Sequence, residues 1–396
     1  MFRALSQIAA VTRFSIASLP QRLGSSASAL LGIAGVVAVM VGVLSIAQGV
    51  LSTMTGTADA SNVIVLRSGA DTEMTSGLSG DQARLITEAP GLAREGDAVL
   101  ASRELFVIIN LPLRSTGTDA NVPLRGLDAS AARVRQGFEI VEGRMFEPGL
   151  AEVIVGSGAR LEFAGLELGD TIEVGAERWP VVGVFAAGGG IAESEVWTDA
   201  RVLQDAYRRG NSFQSVHGTL VSPDRFDDFK DALTTDPRLN VKVMTEAEYY
   251  AGQSQGLYNL ITGLGTLIAV IMGLGAVFGA LNTMYTAVSS RTTEIATLRA
   301  LGFNSGPVVF SVLAESLLLA LAGGIVGAAL AWLAFDGFRA ATLNVASFSS
   351  ITFAFDVNLR LLTLGIFFAL VIGFIGGLFP AIRAARTPVA HALREL

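Results

Sequence analysis

Residues 291–302, RTTEIATLRALG, hold the side chains of this chain whose types and spacing have an evident chemical use. Ile295, Leu298 and Leu301 recur at helical spacing, and Arg291 and Glu294 can pair at i,i+3. Arg299 adds a second cation, and Gly302 supplies a left-handed stop. The chemistry on offer is recognition: an apolar stripe for another surface, with charges that fix its register. A tight turn between two membrane helices would need no more than this, so the surroundings must decide between a turn and a docking helix.

Covalent chemistry has little material. The chain holds 2 histidines, His217 and His391, and no cysteine, so disulfides, thiolate metal sites, a His-rich metal site and an HExxH helix are all unavailable. No GxSxG elbow occurs. Gly188-Gly189-Gly190 lacks the GK[ST] of a phosphate loop and reads as a flexible turn, and GxxxxGK[ST] is absent from the whole sequence. These observations predict a chain with no catalytic residues, no metal and no cofactor of its own.

The elements that must position 291–302 are largely apolar. Hydrophobic residues make up 51% of the 396 and charged residues only 16%, with mean hydropathy +0.54, against about 25% charged in a soluble domain. The polar residues concentrate in 51–255, which holds 30 acids and 18 bases, net −12, while the rest sums to +5. A soluble insert therefore separates two membrane parts. Its acidic surface disfavours nucleic acid, and its many acids read as solvated surface rather than paired catalytic carboxylates.

The expected organisation follows the chain. Residues 1–27 form a basic interfacial helix. Residues 28–50 form a first span of 23 residues, enough for a ~30 Å core and longer than the apolar part of a signal peptide. Residues 51–255 form an outer α+β domain, in which Asp71–Gly80 and Leu113–Asn121 are mobile loops. The second span is 256–289, a cytoplasmic helical segment 290–304, the third span 305–334, a short outer loop 335–359, the fourth span 360–380, and a tail 381–396. Arg3, Arg13, Arg22, Arg291, Arg299, Arg383, Arg386 and Arg394 against Glu294 and Glu395 leave one side at +6, so the positive-inside rule puts both termini and 291–302 in the cytoplasm and the insert outside.

Within the spans, Gly275 and Gly279, Gly323 and Gly327, and Gly373 and Gly377 stand four apart and suit close helix packing within the chain or against a second copy; Gly richness of membrane helices explains them equally well. Glu315 is the acid within a span, and Asn282 is a polar residue near the end of another. Eight residues in from Pro307, Glu315 suits bracing a helix near the cytoplasmic face rather than a transport site.

Taken together, Asn282-Thr283-Met284, Arg291, Glu294-Ile295 and Leu298-Arg299-Ala300-Leu301-Gly302 resemble the N-T-M…R…E-I…L-R-A-(I/L)-G signature of the MacB/FtsX-type ABC permeases, the mechanotransmission group. Glu315 with Gly323, Gly324 and Gly327 resembles that family's third helix, and Phe379-Pro380-Ala381, Ala384-Ala385, Pro388 and Ala392-Leu393-Arg394 its C-terminal ending. In the insert, Gly143-Arg144, Glu152–Gly156, Leu168-Gly169-Asp170 and Val181–Val184 are loosely similar to the extracytoplasmic core domain. The resemblance implies a permease subunit in a homodimer over two cytoplasmic ABC ATPase subunits, which would hold ATP and Mg. Membrane lipids and a periplasmic membrane-fusion adaptor are the other implied partners. It implies export of an amphiphile such as an antibiotic, peptide or lipid-like molecule. Lipoprotein release, or control of a periplasmic cell-wall hydrolase, are the alternatives it leaves open.

Overall fold

The computed structural model describes residues 23–386 except 136, 176 and 345–348. The expected interfacial helix therefore lies outside the described residues up to residue 22, as does the tail from 387. The chain divides into two compact units, an outer one of Gln48–Asn259 with Arg339–Phe355 and an apolar one built from the rest.

The outer unit is a mixed domain, as the alternation of Val/Ile-rich runs and short capped helices predicts. Its elements begin with the end of α1 (Leu23–Thr55), β1 (Asn62–Arg67), a 3₁₀ turn at Glu73–Thr75, β2 (Leu78–Ser79) and α2 (Gly80–Thr87). There follow β3 (Arg94–Glu95), β4 (Ala98–Val99), β5 (Ala101–Pro112), β6 (Asp119–Leu127), α3 (Ala131–Val134), β7 (Phe138–Gly143), β8 (Val153–Gly156) and α4 (Ser157–Glu162). Next come β9 (Thr171–Val174), β10 (Glu177–Ala187), β11 (Val196–Asp199), α5 (Ala200–Ala206), β12 (Ser212–Phe213), β13 (Ser215–Thr219), α6 (Phe226–Thr234), β14 (Val241–Thr245) and the start of α7 (Glu246–Ser289). Ser79 and Gln82 form a reciprocal capping box at α2, and the Asp199 carboxylate accepts from Arg201 N and Val202 N at α5.

Ten strands make one sheet, ordered β14-β1-β13-β5-β6-β11-β8-β10-β7 with β9 on β10. Register decides what lies on each face. Phe106 stands opposite Arg125, Ser102 opposite His217 and Glu104 opposite Ser215, so Asn62, Ser102, Glu104, Arg125, Ser215 and His217 share one face of the central strands. The alternate positions, among them Val63, Val65, Leu105, Val107, Leu124 and Val216, supply the apolar cores on the other.

Three expectations for this unit change. Leu113–Asn121 is the turn of the β5–β6 hairpin, with Leu113 N donating to Thr118 O at 2.9 Å and Asp119–Asn121 already in β6. Asp71–Gly80 is pinned: Glu73, Ser76 and Leu78 are buried, and Ser76 Oγ accepts from Arg67 N at 2.9 Å. The outer loop 335–359 is a hairpin, β15 (Arg339–Asn344) on β16 (Ser349–Ala354), and it belongs to the outer domain. Ile351 and Phe353 are buried, Thr352 N donates to Ser194 Oγ at 3.0 Å, and Ser350 and Thr352 hydroxyls donate to the Glu162 carboxylate at 3.2 and 3.1 Å. The alternation Ser350-Ile351-Thr352-Phe353 produces this, because its apolar members need cover that a free loop would not give.

The apolar unit contains the other part of α1, α7 from Leu260, α8 (Thr292–Ala300), α9 (Ser305–Phe335) and α10 (Leu359–Arg386). Among the described residues four helices, α1, α7, α9 and α10, are long and apolar enough to cross a membrane. α1 and α10 run past both expected ends of their spans, α7 starts earlier than expected and ends at Ser289 as expected, and α9 matches its span to within one residue; α10 passes through Pro380. Some hydroxyls within them are satisfied locally, as Ser45 Oγ is on Gly42 O at 2.7 Å, while Ser316 Oγ of α9 donates across to Gly373 O of α10 at 2.6 Å.

Small residues set the helix contacts here. A Cβ on Gly323 or Gly327 would run into α1 at Leu30, Ile33, Ala34 and Val37, and one on Gly373 or Gly377 would run into Ala320 and Ser316 of α9. Close approach therefore needs glycine at these four positions. Gly275 and Gly279 differ: a Cβ there meets nothing within 4 Å among the described residues, so they pack against none of the described helices, and Gly273 and Gly376 make the close approaches instead, to Phe368 and Ala280. The reason is phase, since Gly273 lies two residues from Gly275 and so faces the opposite side of α7.

Candidate coupling site

The element between α7 and α9 is the short helix that the spacing of 291–302 requires. After Ser289 the backbone turns at Arg291 (φ −116°, ψ 13°), and α8 starts at Thr292. It ends in a Schellman motif: Phe303 N donates to Leu298 O and Gly302 N to Arg299 O, both at 3.1 Å, with Gly302 at φ +92°. A side chain at Gly302 would strain that left-handed position.

Arg291 is buried and points inward. Its Nε donates to Glu294 Oε2 at 3.0 Å and its Nη1 lies 3.4 Å from Glu315 Oε2. Glu315, also buried, thus braces the junction from α9, as its depth in the span suggests. Ile295 is half-buried among Met284, Val288, Val308 and Val312, and Leu298 lines a cavity of about 30 Å³ with Arg291, Ser311 and Glu315. The stripe of Ile295 and Leu298 is therefore partly covered by this chain's own helices, and Ala296 is the buried residue of α8.

Leu301 does not continue that stripe; it is 73% exposed and stands outward with Thr293, Glu294 and Thr297. The stripe stops there because the Schellman turn ends the helix at Ala300. Arg299 is half-buried. Asn282 is exposed on the same side of α7 as Gly275 and Gly279, at spacings of seven and three. The Arg383 guanidinium sits over the Tyr285 ring, 5.5 Å from its centroid.

A second polar site, in the outer unit, has no counterpart in the sequence reading. Arg125 is 2% exposed and donates to Glu73 at 2.6 and 3.0 Å, to Glu104 at 2.8 Å and to both oxygens of Glu195 at 2.8 Å. Arg135 bridges Glu104 at 2.6 Å and Glu246, the first residue of α7, at 3.0 Å. Ser215 Oγ and Trp197 Nε1 donate to Glu73 and Glu195, Asn62 Nδ2 donates to Glu246, and Glu73 N donates to the Tyr249 hydroxyl. Burial by itself would raise the Glu73 and Glu104 carboxyls. The guanidiniums and His217 outweigh it, Arg125 foremost at Glu73 and Arg135 at Glu104, so both sit below the ordinary carboxylate range, Glu73 far below. Burial likewise opposes the charge on Arg125, and its three carboxylates raise it well above the usual value.

In sequence these residues look like the solvent face of alternating strands: Ser102, Arg103 and Glu104 are the polar members of Ala-Ser-Arg-Glu-Leu-Phe. The available signal was one acid and one histidine, Glu104 and His217, within strands of the outer domain.

Two family models match the chain. One, described as a MacB-like periplasmic core domain, covers residues 26–236, and one described as FtsX-like permease C-terminal covers 266–389. The chain is 25% identical to the uncharacterized ABC transporter permease YknZ of Bacillus subtilis, over 57% of each protein. It is 25% identical to the macrolide export ATP-binding/permease protein MacB 1 of Aeromonas hydrophila, over 92% of this chain and 57% of that protein. With the uncharacterized ABC transporter permease YvrN of Bacillus subtilis identity is 24%, over 92% and 93%. The chain thus spans about 57% of the length of the first two relatives.

Proposed function

Because this chain belongs to the MacB/FtsX type of ABC transporter permease, we propose that it carries ATP-driven motion from a separate cytoplasmic ATPase to its outer domain, extruding an amphiphilic substrate across the cell envelope. It is an inner-membrane protein with an extracytoplasmic domain. On this reading both termini and α8 face the cytoplasm, as the arginine asymmetry favours. ATP and Mg are held by the partner ATPase, which works as a dimer, and a periplasmic adaptor completes the export path.

The observation that carries the proposal is the double anchoring of α7. One end is followed directly by α8, braced by Arg291, Glu294 and Glu315; at the other, Glu246 is bound into the buried network of the outer domain. A force applied to α8 meets a braced junction, because Arg291 and Glu315 would have to part within a buried site. The ATPase then contacts the outward face, Thr293, Glu294, Thr297 and Leu301. Ile295 and Leu298 hold α8 to the spans, and Gly302 and Arg299 shape its end. A second permease copy covers Gly275, Gly279 and Asn282 on α7, where an amide exposed to lipid is costly. Membrane lipids cover the remaining apolar faces.

The chain has no native cysteine, so single-cysteine cross-linking tests this directly. Thr297→Cys should cross-link to an ABC ATPase purified with the chain from its own membranes, and Ile295→Cys should not. Cross-linking from Ile295 alone, or no ATPase in the preparation, refutes the assignment. A membrane-fusion adaptor in the same preparation supports export; a cell-wall hydrolase or a lipoprotein in its place transfers the energised step to that partner.

A further inference from the structure

A cleft of about 650 Å³ opens on the outer domain where α2, α3 and α5 come together beside the start of β5 and the end of β6. The cavities at the buried network and at α8 are about 20 and 30 Å³, room for a water molecule, so this cleft has the volume of a small-molecule site and they do not. Its floor is apolar: Ala101, Leu127 and Ala200 are buried, and Val99 is half-buried beside them. Charged side chains surround that floor, three acids (Glu88, Asp128 and Asp199) and three bases (Arg103, Arg133 and Arg201).

The balance is only formal, because the acids are already bonded within the chain. The Asp128 carboxylate accepts from Arg103 N, Nε and Nη2 at 3.2, 2.6 and 3.2 Å. Asp199 accepts from Arg201 N and Val202 N at 2.7 and 3.2 Å and from Gly149 N at 3.3 Å, and Glu88 pairs with Arg84 at 3.2 Å. The bases divide differently. Arg103 is consumed by Asp128, whereas Arg133 has one loose contact, its Nη1 3.6 Å from the exposed Glu95, and such a pair is worth little. The Arg201 guanidinium, which is exposed, makes no hydrogen bond or ion pair among the described residues. Two guanidiniums with donors to spare therefore stand at the edge of a ligand-sized cleft, in a domain otherwise rich in acids.

We propose that this cleft binds a phosphate monoester on an apolar stem, with the phosphate held by Arg133 and Arg201 and the stem laid on Ala101, Leu127 and Ala200. A phosphate monoester carries about −1.5 to −2 near neutral pH, which two guanidiniums match, whereas a single carboxylate leaves one of them over. Each guanidinium is a planar fork that meets two phosphate oxygens at once. The floor calls for the stem, since a bare anion would leave that apolar surface wet. A lipid head group and free phosphate share this chemistry, and the floor favours the lipid. The assignment concerns the outer domain by itself, so its failure would leave the proposed coupling standing.

Calorimetric titration of the full chain in an uncharged detergent tests this with two probes, hexyl phosphate and inorganic phosphate. Hexyl phosphate should bind with a Kd of about 0.1 mM, and inorganic phosphate about tenfold more weakly. Arg133→Gln and Arg201→Gln should each weaken hexyl phosphate by about tenfold, and the two together by about a hundredfold. Both side chains are exposed, so the variants should keep the wild-type thermal midpoint. Arg201→Lys should lose less than Arg201→Gln, and Arg178→Gln, at an exposed guanidinium of β10, should bind as wild type does. High salt should weaken the wild type towards the double variant. Three results overturn the proposal: neither probe binding at about 5 mM, hexyl phosphate binding that both glutamine variants retain, or inorganic phosphate binding as tightly as hexyl phosphate, the last in favour of a free-anion site.

Discussion

Replacing Arg125 with Met tests whether the covered polar face holds the outer domain together. The substitution keeps most of the side chain's volume and removes one charge, leaving Glu73, Glu104 and Glu195 with their strongest shared partner gone. These carboxylates are 4%, 0% and 4% exposed, so water cannot replace the lost donors. Breaking a buried ion pair by removing one partner costs about 3–5 kcal/mol, and Arg125 serves three acids, which places the expected loss at the upper end. For a unit of this size each kcal/mol moves the midpoint by about 2–4 °C, so Tm should fall by about 8–20 °C. Fluorescence is a suitable assay, because Trp197 donates to Glu195 at 2.7 Å and reports the site directly. Arg125→Met with Glu73→Gln should lose less than the two single variants summed, since the second change removes a charge the first has stranded. A midpoint for Arg125→Met within about 2 °C of wild type would refute the reasoning, for it would mean that the acids are hydrated and the pairs worth no more than surface salt bridges.

Three further outcomes follow from particular contacts. Gly377→Leu should prevent α10 from seating on Ser316 of α9 and cut the yield of folded protein in size-exclusion chromatography, whereas Gly279→Leu should leave the monomer's thermal stability within about 0.5 kcal/mol and instead reduce recovery of the paired permease. Glu73 and Glu104 have lowered carboxyl pKa values, so the stability they contribute is full above about pH 4.3, the unfolded value, and is lost as pH falls through the folded values; a melting series from pH 6 to pH 2 should show Glu73→Gln with a flatter acid limb than wild type. Thr352→Val should cost about 1–2 kcal/mol in the outer unit, because the Glu162 carboxylate loses one of its donors, while Thr342→Val on the partner strand should cost less than about 0.5 kcal/mol in the same thermal melt.

Much of this protein can be read from its residues in order. The four spans follow from length and charge depletion, the outer α+β domain from its composition, and the limits of β1 and β9 from Val/Ile-rich runs bounded by turn residues. The helix at 292–300 with its glycine stop follows from local periodicity, and these are properties that a segment carries whatever it packs against.

Tertiary structure decided which side of each element is covered. Ile295 and Leu298 form the stripe the spacing indicates, yet only the positions of α7 and α9 show that the chain partly covers it itself and leaves Thr293, Thr297 and Leu301 outward. Of three similar glycine pairs, two meet a neighbouring helix and one meets open space among the described residues, a difference of helical phase that spacing within a single helix cannot reveal. The polar face of β5, β6 and β13 has the alternation of a solvated surface, and it is buried because Glu246, Arg135 and Glu73 come to it from residues up to 184 positions away. Pairing between distant charges leaves no local pattern, so the network that grips the root of α7 exists only once the chain has folded.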